Sequence, residues 1–439
     1  MALPRQGLSH DDLMSQLERT LSGDANWRAG RIFSLVYFAG DDVAQVIRDA
    51  YGAAIFTNGL GPMAFRSLKK MESEVIGMAA DLVGLPEAVG NITSGGTESI
   101  LMALKTARDW ARAEKGISEP EVILPVTAHP AFDKACQYLG MKRAPVPIGD
   151  DFRADLAAAK AALTANTVLM VGSAPCYPFG VIDDIPGLAG LASEHGIPCH
   201  VDACLGGFLL PFIERLGNPV RPWDFRVHGV ESISADLHKY GFAARGASTV
   251  MYRKKEYRRH QYFMKDDWPG GLYGSPTLAG SRPGGAVAAA WAVMNYLGED
   301  GYKGLAQTML DTTGALRDGI NAIEGLRVVG DPDMTVFAFT ADTYDVHAVG
   351  DALAAAGWFP DRQQGPPSLH IMVTPAHTDV VPDFLEALDE AVRKVVSGEQ
   401  SPGGQAAIYG AMEKMEDKAP IRAFIAEAID GMTKKEAAG

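Results

Sequence analysis

The sequence predicts an α/β protein with a large, mostly parallel sheet covered by helices on both faces and a smaller C-terminal α+β unit. Three observations lead there. From about Met71 to Tyr252, short apolar runs alternate with stretches of helical periodicity, the pattern of strands joined by helical crossovers. After about Ala315 the rhythm changes to fewer strands and amphipathic helices. The chain has 439 residues, enough to bury more than one core.

In chain order, Ser9 followed by Leu13, Leu17 and Leu21 reads as an N-capped amphipathic helix, part of an N-terminal arm over residues 1–70. The large domain is expected over 71–315. Its candidate strands are Val122–Val126, Val168–Val171, Pro198–Val201, Ser232–Ala235 and Thr249–Tyr252, and its candidate helices are Glu98–Ala113, Ala154–Leu163 and Ile185–His195. Gly, Pro and aromatic residues crowd Lys254–Gly285, which reads as a long ordered loop before a helix over Ala286–Leu297. The small domain, 316–400, carries strand candidates Thr335–Phe339 and Leu369–Val373 and helices near Val346–Ala356 and Val381–Val396. Ser397-Gly-Glu-Gln-Ser-Pro-Gly-Gly is a break, and the tail over 401–439 is expected to be partly ordered at best.

Bulk properties exclude several classes. A formal charge of −14 and a pI near 5.2 argue against nonspecific nucleic-acid binding and against attraction to anionic membranes. The four cysteines, Cys136, Cys176, Cys199 and Cys204, show no CxxC spacing, so they read as reduced thiols rather than a disulfide framework or a metal site. The N-terminus has no apolar core of a signal peptide, and no stretch approaches the ~20 apolar residues of a membrane span. A soluble, cytoplasmic protein is expected.

Chemistry concentrates at the ends of the strand candidates. Lys239 closes Ser234-Ala-Asp-Leu-His238-Lys239, Asp202 follows the run Pro198–Val201, and Ser94-Gly95-Gly96-Thr97 opens a helical stretch. A lysine amine, a carboxylate and backbone N–H groups at a helix start are what pyridoxal phosphate requires. They serve its aldehyde carbon, its pyridine nitrogen and its phosphate respectively. Singly, each has a plain alternative: a surface lysine, a turn aspartate, a structural glycine turn. His129, just after a strand, could stack on the cofactor ring or simply cap a helix. Tyr177, between prolines, could serve as a hydroxyl donor or acid–base group, or be a core aromatic. Ser281 and Arg282 read as an anion-binding turn or as a loop needing tight geometry.

These segments resemble the pyridoxal-phosphate enzymes of fold type I, in the branch holding group II decarboxylases and sphingosine-1-phosphate lyases. The lyases are the closer match. The resemblance rests on Ser94–Arg112, Pro198–Phe208, Ser232–Phe242, Ala279–Gly285, Pro366–His370 and Ala407–Gly410. It implies the transferase fold of that type and a homodimer with active sites at the interface. It implies Lys239 as the Schiff-base lysine next to His238, Asp202 as the pyridinium partner and His129 as the stacking residue. Gly95, Gly96 and Thr97 would hold the cofactor phosphate, with Ser281 supplied by the partner subunit. Tyr37 and Tyr177 match tyrosines near the substrate.

The chain departs from those lyases around the substrate. Phe38 stands where a histidine usually follows the tyrosine. The segment Asn58-Gly59-Leu60-Gly61-Pro62 replaces one reading Asn-Pro-Leu-His-Pro, so a phosphate-binding histidine becomes Gly61. Arg245 replaces a lysine contacting the same phosphate; arginine keeps the charge and adds a bidentate fork. Three functions are compatible with these residues. The first is retro-aldol cleavage of a phosphorylated β-hydroxy amine. The second is decarboxylation of an L-amino acid, with Arg362 a candidate for the substrate carboxylate. The third is a degenerate binding homologue.

Overall fold

The computed structural model describes residues 3–400, 404–415 and 417–432. Seven strands form the large sheet: β1 (Val89–Thr93), β2 (Glu121–Pro125), β3 (Lys142–Val146), β4 (Thr167–Ser173), β5 (Cys199–Asp202), β6 (Val230–Ala235) and β7 (Ser248–Tyr252). Their order is β1-β7-β6-β5-β4-β2-β3, with only β7 running antiparallel to its neighbours. Every residue of β4 is buried, as expected of a strand covered on both faces. Ile123, Val201 and Ile233 share one buried cluster with the helix Ile185–Glu194, while Val122, Leu124 and Val171 share another with the helix Gly96–Lys115.

Two strands of this sheet were not anticipated, and both lie at its edges. β3 reads Lys-Arg-Ala-Pro-Val and is largely exposed, so it lacks the apolar signature of the central strands. β1 reads Val-Gly-Asn-Ile-Thr, and its glycine faces the β7 backbone so closely that a Cβ would lie 2.5 Å from the Val250 carbonyl.

The segment expected to be a loop contains a hairpin, β8 (Phe263–Trp268) with β9 (Gly271–Ser275). The hairpin was hidden because its strands are almost wholly exposed and show no buried alternation. The helical stretch behind it, Gly284–Ala322, is two helices joined at Gly298, whose non-helical backbone (φ 56°) closes the first of them where expected, just after Leu297.

A second, antiparallel sheet follows: β10 (Leu326–Val328), β11 (Val336–Ala341), β12 (Asp361–Gln363) and β13 (Ser368–Met372), in the order β10-β11-β13-β12. Helices Val346–Ala355 and Val381–Val396 cover it around Phe337, Phe339, Trp358 and Phe384. The tail is more regular than expected, with helices Gly404–Lys414 and Ala419–Met432; residues 401–403, 416 and 433–439 lie outside the described residues.

The N-terminal segment begins as the capped helix His10–Leu21, with Ser9 Oγ accepting from the Asp12 amide, and this helix buries none of its residues. Further on, the segment is more than an arm. Ile32 pairs with Phe359, and the Phe33 carbonyl accepts from the Met372 amide at 2.8 Å. That pairing carries Tyr37 to the boundary between the two sheets. Among the described residues, no helix is long and apolar enough to cross a membrane.

Candidate active site

In open α/β sheets, ligands bind beyond the carboxyl ends of the parallel strands. A cavity of about 420 Å³ lies there. It gathers Gly95, Gly96 and Thr97 after β1, His129 after β2, Tyr177 after β4, Asp202 at the end of β5, and His238 and Lys239 after β6. Tyr37 and Arg245 complete the wall.

Lys239 Nζ lies 3.0 Å from the Oδ2 of Asp236, a carboxylate buried to 2% exposure. Burial, the largest single influence, pushes the ammonium down, but Asp236 together with Cys204, Tyr37 and Asp202 outweighs it and holds Lys239 above its ordinary range. Asp202 Oδ1 accepts from the Cys204 amide at 3.1 Å and from Ser234 Oγ at 3.3 Å, which fixes the carboxylate at the end of its strand. His129 Nδ1 accepts from the Ala131 amide at 3.1 Å, so the ring proton sits on Nε2. Burial lowers the His129 pKa and favours the neutral ring.

The glycine loop owes its shape to a residue the sequence did not single out. Glu98, buried in the first turn of the helix Gly96–Lys115, accepts from the Ser94 amide at 2.7 Å and from Ser94 Oγ at 2.5 Å. Its other oxygen accepts from the Leu278 amide at 2.9 Å, tying the loop to the segment after β9. Gly96 must lack a side chain here. A Cβ would come within 2.8 Å of Asp236 Oδ2 and 3.0 Å of Cys204 Sγ.

On the opposite wall, Tyr37 donates to Met372 Sδ at 3.4 Å, and burial pushes its phenol up to about 12. The exposed Arg245 guanidinium lies 5.4 Å from the Tyr37 ring centre and donates to the His238 carbonyl at 3.3 Å. Tyr177 Oη donates to Asp361 Oδ2 at 2.7 Å. Burial first and Asp361 second hold that phenol well above its ordinary range.

Asn58 and Ser281 do not line this cavity. Asn58 Nδ2 donates to Ser281 Oγ at 3.0 Å, beside a smaller cavity of about 150 Å³ lined by Asn58, Gly59, Glu72 and Arg282. The expected anion-binding turn is corrected in one respect. Arg282 is engaged by Glu72, with contacts of 2.6 and 3.1 Å, and also donates to the Ile92 carbonyl.

Residues 1–342 match the family model described as the pyridoxal-dependent decarboxylase conserved domain. The chain is 45% identical over 439 residues to a sphingosine-1-phosphate lyase of Oryza sativa subsp. japonica, covering 98% of this chain and 81% of that protein. It is 41% identical over 435 residues to sphingosine-1-phosphate lyase 1 of Rattus norvegicus, covering 98% and 76%. The solved sphingosine-1-phosphate lyase of Burkholderia pseudomallei K96243 superposes with a TM-score of 0.91 at 37% identity, over 99% of this chain and 98% of that one. The chain belongs to the sphingosine-1-phosphate lyase family. A glutamate decarboxylase of Lactobacillus brevis, at 21% identity and a TM-score of 0.78 over 90% of this chain and 95% of that one, shares the fold.

Membership of a pyridoxal-dependent family brings pyridoxal phosphate as the cofactor, and this lyase-family cavity fits it. A lysine amine and a strand-end carboxylate share one cavity with a histidine ring and a helix N-terminus stripped of side chain at Gly96. Asp236, Glu98 and Asp361 are the residues that sequence reasoning missed. Asp236 had a signal, three positions before the lysine. Asp361 had none, since it reaches the site from the second sheet.

Arg362, the candidate for a substrate carboxylate, is committed elsewhere. Its guanidinium donates to Asp351 at 2.7 Å and to the His347 carbonyl at 2.6 Å, buried beneath the helix Val346–Ala355. Arg362→Gln is expected to cost about 3 kcal/mol of stability by leaving Asp351 buried without its counter-charge. Denaturant unfolding checks this, with the kcat of the remaining folded enzyme little changed.

Proposed function

We propose that the chain cleaves the Cα–C3 bond of a phosphorylated β-hydroxy amine of the sphingosine-1-phosphate type, giving a fatty aldehyde and phosphoethanolamine by retro-aldol chemistry. The observation that carries this reading is the meeting of Lys239 and Asp202 in one cavity of a chain related along nearly its whole length to lyases of that name. The arginine that the sequence offered for the substrate carboxylate of a decarboxylation, Arg362, is bound to Asp351.

Lys239 would hold the cofactor through its amine and later carry a proton to or from the substrate carbon. Asp202 would keep a proton on the ring nitrogen, and His129 would stack on the ring. Gly95, Gly96 and Thr97 would bind the cofactor phosphate at the start of the helix Gly96–Lys115, where N–H groups and the helix dipole favour an anion. His238 braces the loop, with its Nδ1 accepting from the Ala247 amide at 3.3 Å. When bound, the cofactor supplies an electron sink for the pair that cleavage leaves on Cα.

Tyr37 and Arg245 would face the substrate, with Arg245 taking its phosphate in the absence of a histidine at Gly61. Asn58 and Ser281 would complete the site of a partner subunit in a homodimer, which accounts for their lying outside the chain's own cavity. The four buried, free cysteines suit a reducing compartment such as the cytoplasm.

Arg245→Ala is expected to raise KM for the phosphorylated substrate by about tenfold or more, with a smaller change in kcat. The same variant should discriminate less between phosphorylated and unphosphorylated amines. Steady-state kinetics on both substrates test the assignment, and an unchanged KM would contradict it.

A further inference from the structure

The hydrogen bond between Tyr177 and Asp361 has a direction. A carboxylate can only accept, so the single phenolic proton of Tyr177 is committed to Asp361 Oδ2 at 2.7 Å. What Tyr177 Oη has left to offer the cavity is lone pairs. The pair is also held in place. Asp361 Oδ1 accepts from Ser34 Oγ at 3.0 Å, and β12 seats Asp361 opposite His370 of β13. The His370 ring lies 4.2 Å from the Tyr177 ring, and its Nε2–H donates to the Tyr177 carbonyl at 2.8 Å. Three chain segments thus converge to fix one hydroxyl: the N-terminal segment, the loop after β4 and the second sheet.

We propose that Asp361 makes Tyr177 the hydrogen-bond acceptor for the substrate's C3 hydroxyl and takes the proton that Tyr177 passes on. This rests on the lyase reading above. The substrate O–H bond breaks and a bond from that proton to Tyr177 Oη forms, while the original phenolic proton moves to Asp361 Oδ2. The oxygen's freed pair becomes the second bond of the aldehyde carbonyl, and the pair of the broken Cα–C3 bond stays with Cα. Cleavage to an aldehyde and an amine consumes no proton overall, so the pair is reset when one proton is given back to the Cα fragment. Because burial and Asp361 hold the phenol far above its usual range, a free phenolate does not form and the two transfers go together. Asp361 is therefore a positioning residue that works through Tyr177.

A double-mutant cycle of Asp361→Asn and Tyr177→Phe tests this. Asparagine has the shape of aspartate and can still accept from Ser34, but it cannot take up a proton. Asp361→Asn is expected to lower kcat on the order of 10²-fold while KM, melting temperature and the visible absorbance of bound cofactor stay close to wild type. Tyr177→Phe should lose a similar factor, and the double variant should be no worse than either alone. Asp361→Glu should recover part of the loss. Losses that multiply in the double variant would overturn the relay, as would an Asp361→Asn loss that follows melting temperature or KM. Failure of the wild-type holoenzyme to cleave the β-hydroxy amine would overturn the lyase reading itself, a result seen before any variant is made.

Discussion

Lys239→Ala is expected to abolish turnover, by on the order of 10³-fold or more, and to abolish covalent retention of the cofactor. The cavity contains one amine placed for this. Lys239 lies behind the glycine loop and is held by Asp236 at 3.0 Å, whereas the other cation on the wall, Arg245, carries a guanidinium that cannot do the same chemistry. Treating wild type with borohydride before mass spectrometry should add the cofactor's mass at Lys239. The variant should show no such adduct at near-normal melting temperature. An adduct on another residue, or retained turnover, would contradict the assignment.

Asp202→Asn is expected to lower kcat by about 10²- to 10³-fold with little loss of folding stability. The geometry explains why the two effects separate. Both hydrogen bonds that anchor the side chain, from the Cys204 amide and from Ser234 Oγ, fall on Oδ1, and an asparagine carbonyl can accept them equally. The substitution removes the charge and leaves the scaffold. If the negative charge holds a proton on the ring nitrogen, its loss weakens the electron sink in the transition state more than it weakens binding. Cofactor affinity measured alongside kcat decides between a lost charge and a lost contact, since a purely structural role would move both together with melting temperature.

Much of this was legible in the chain because the large sheet is buried on both faces. Central strands such as β4 are built round apolar runs, and the chemistry-bearing residues lie at or just beyond the strands' carboxyl ends. Lys239, Asp202, His129 and the glycine loop therefore carried a positional signal as well as a chemical one. Edge strands and the hairpin β8–β9 did not, since solvent on one or both sides removes the apolar pattern. Long-range closure was equally unreadable. Nothing local in Asp361 announces that β12 will bring it to Tyr177, and nothing in Ser34 announces that an N-terminal segment will join the second sheet. Arg362 shows the converse, a chemically suitable side chain whose capacity is consumed by Asp351 and a backbone carbonyl.

The most direct test of the central claim is product analysis by mass spectrometry after incubating the cofactor-loaded protein with sphingosine-1-phosphate. The account predicts phosphoethanolamine and the matching fatty aldehyde in equal amounts, formed even though Gly61 stands where related lyases carry a histidine. Intact substrate after incubation with fully loaded enzyme, or release of CO2 from an amino acid in its place, would contradict it.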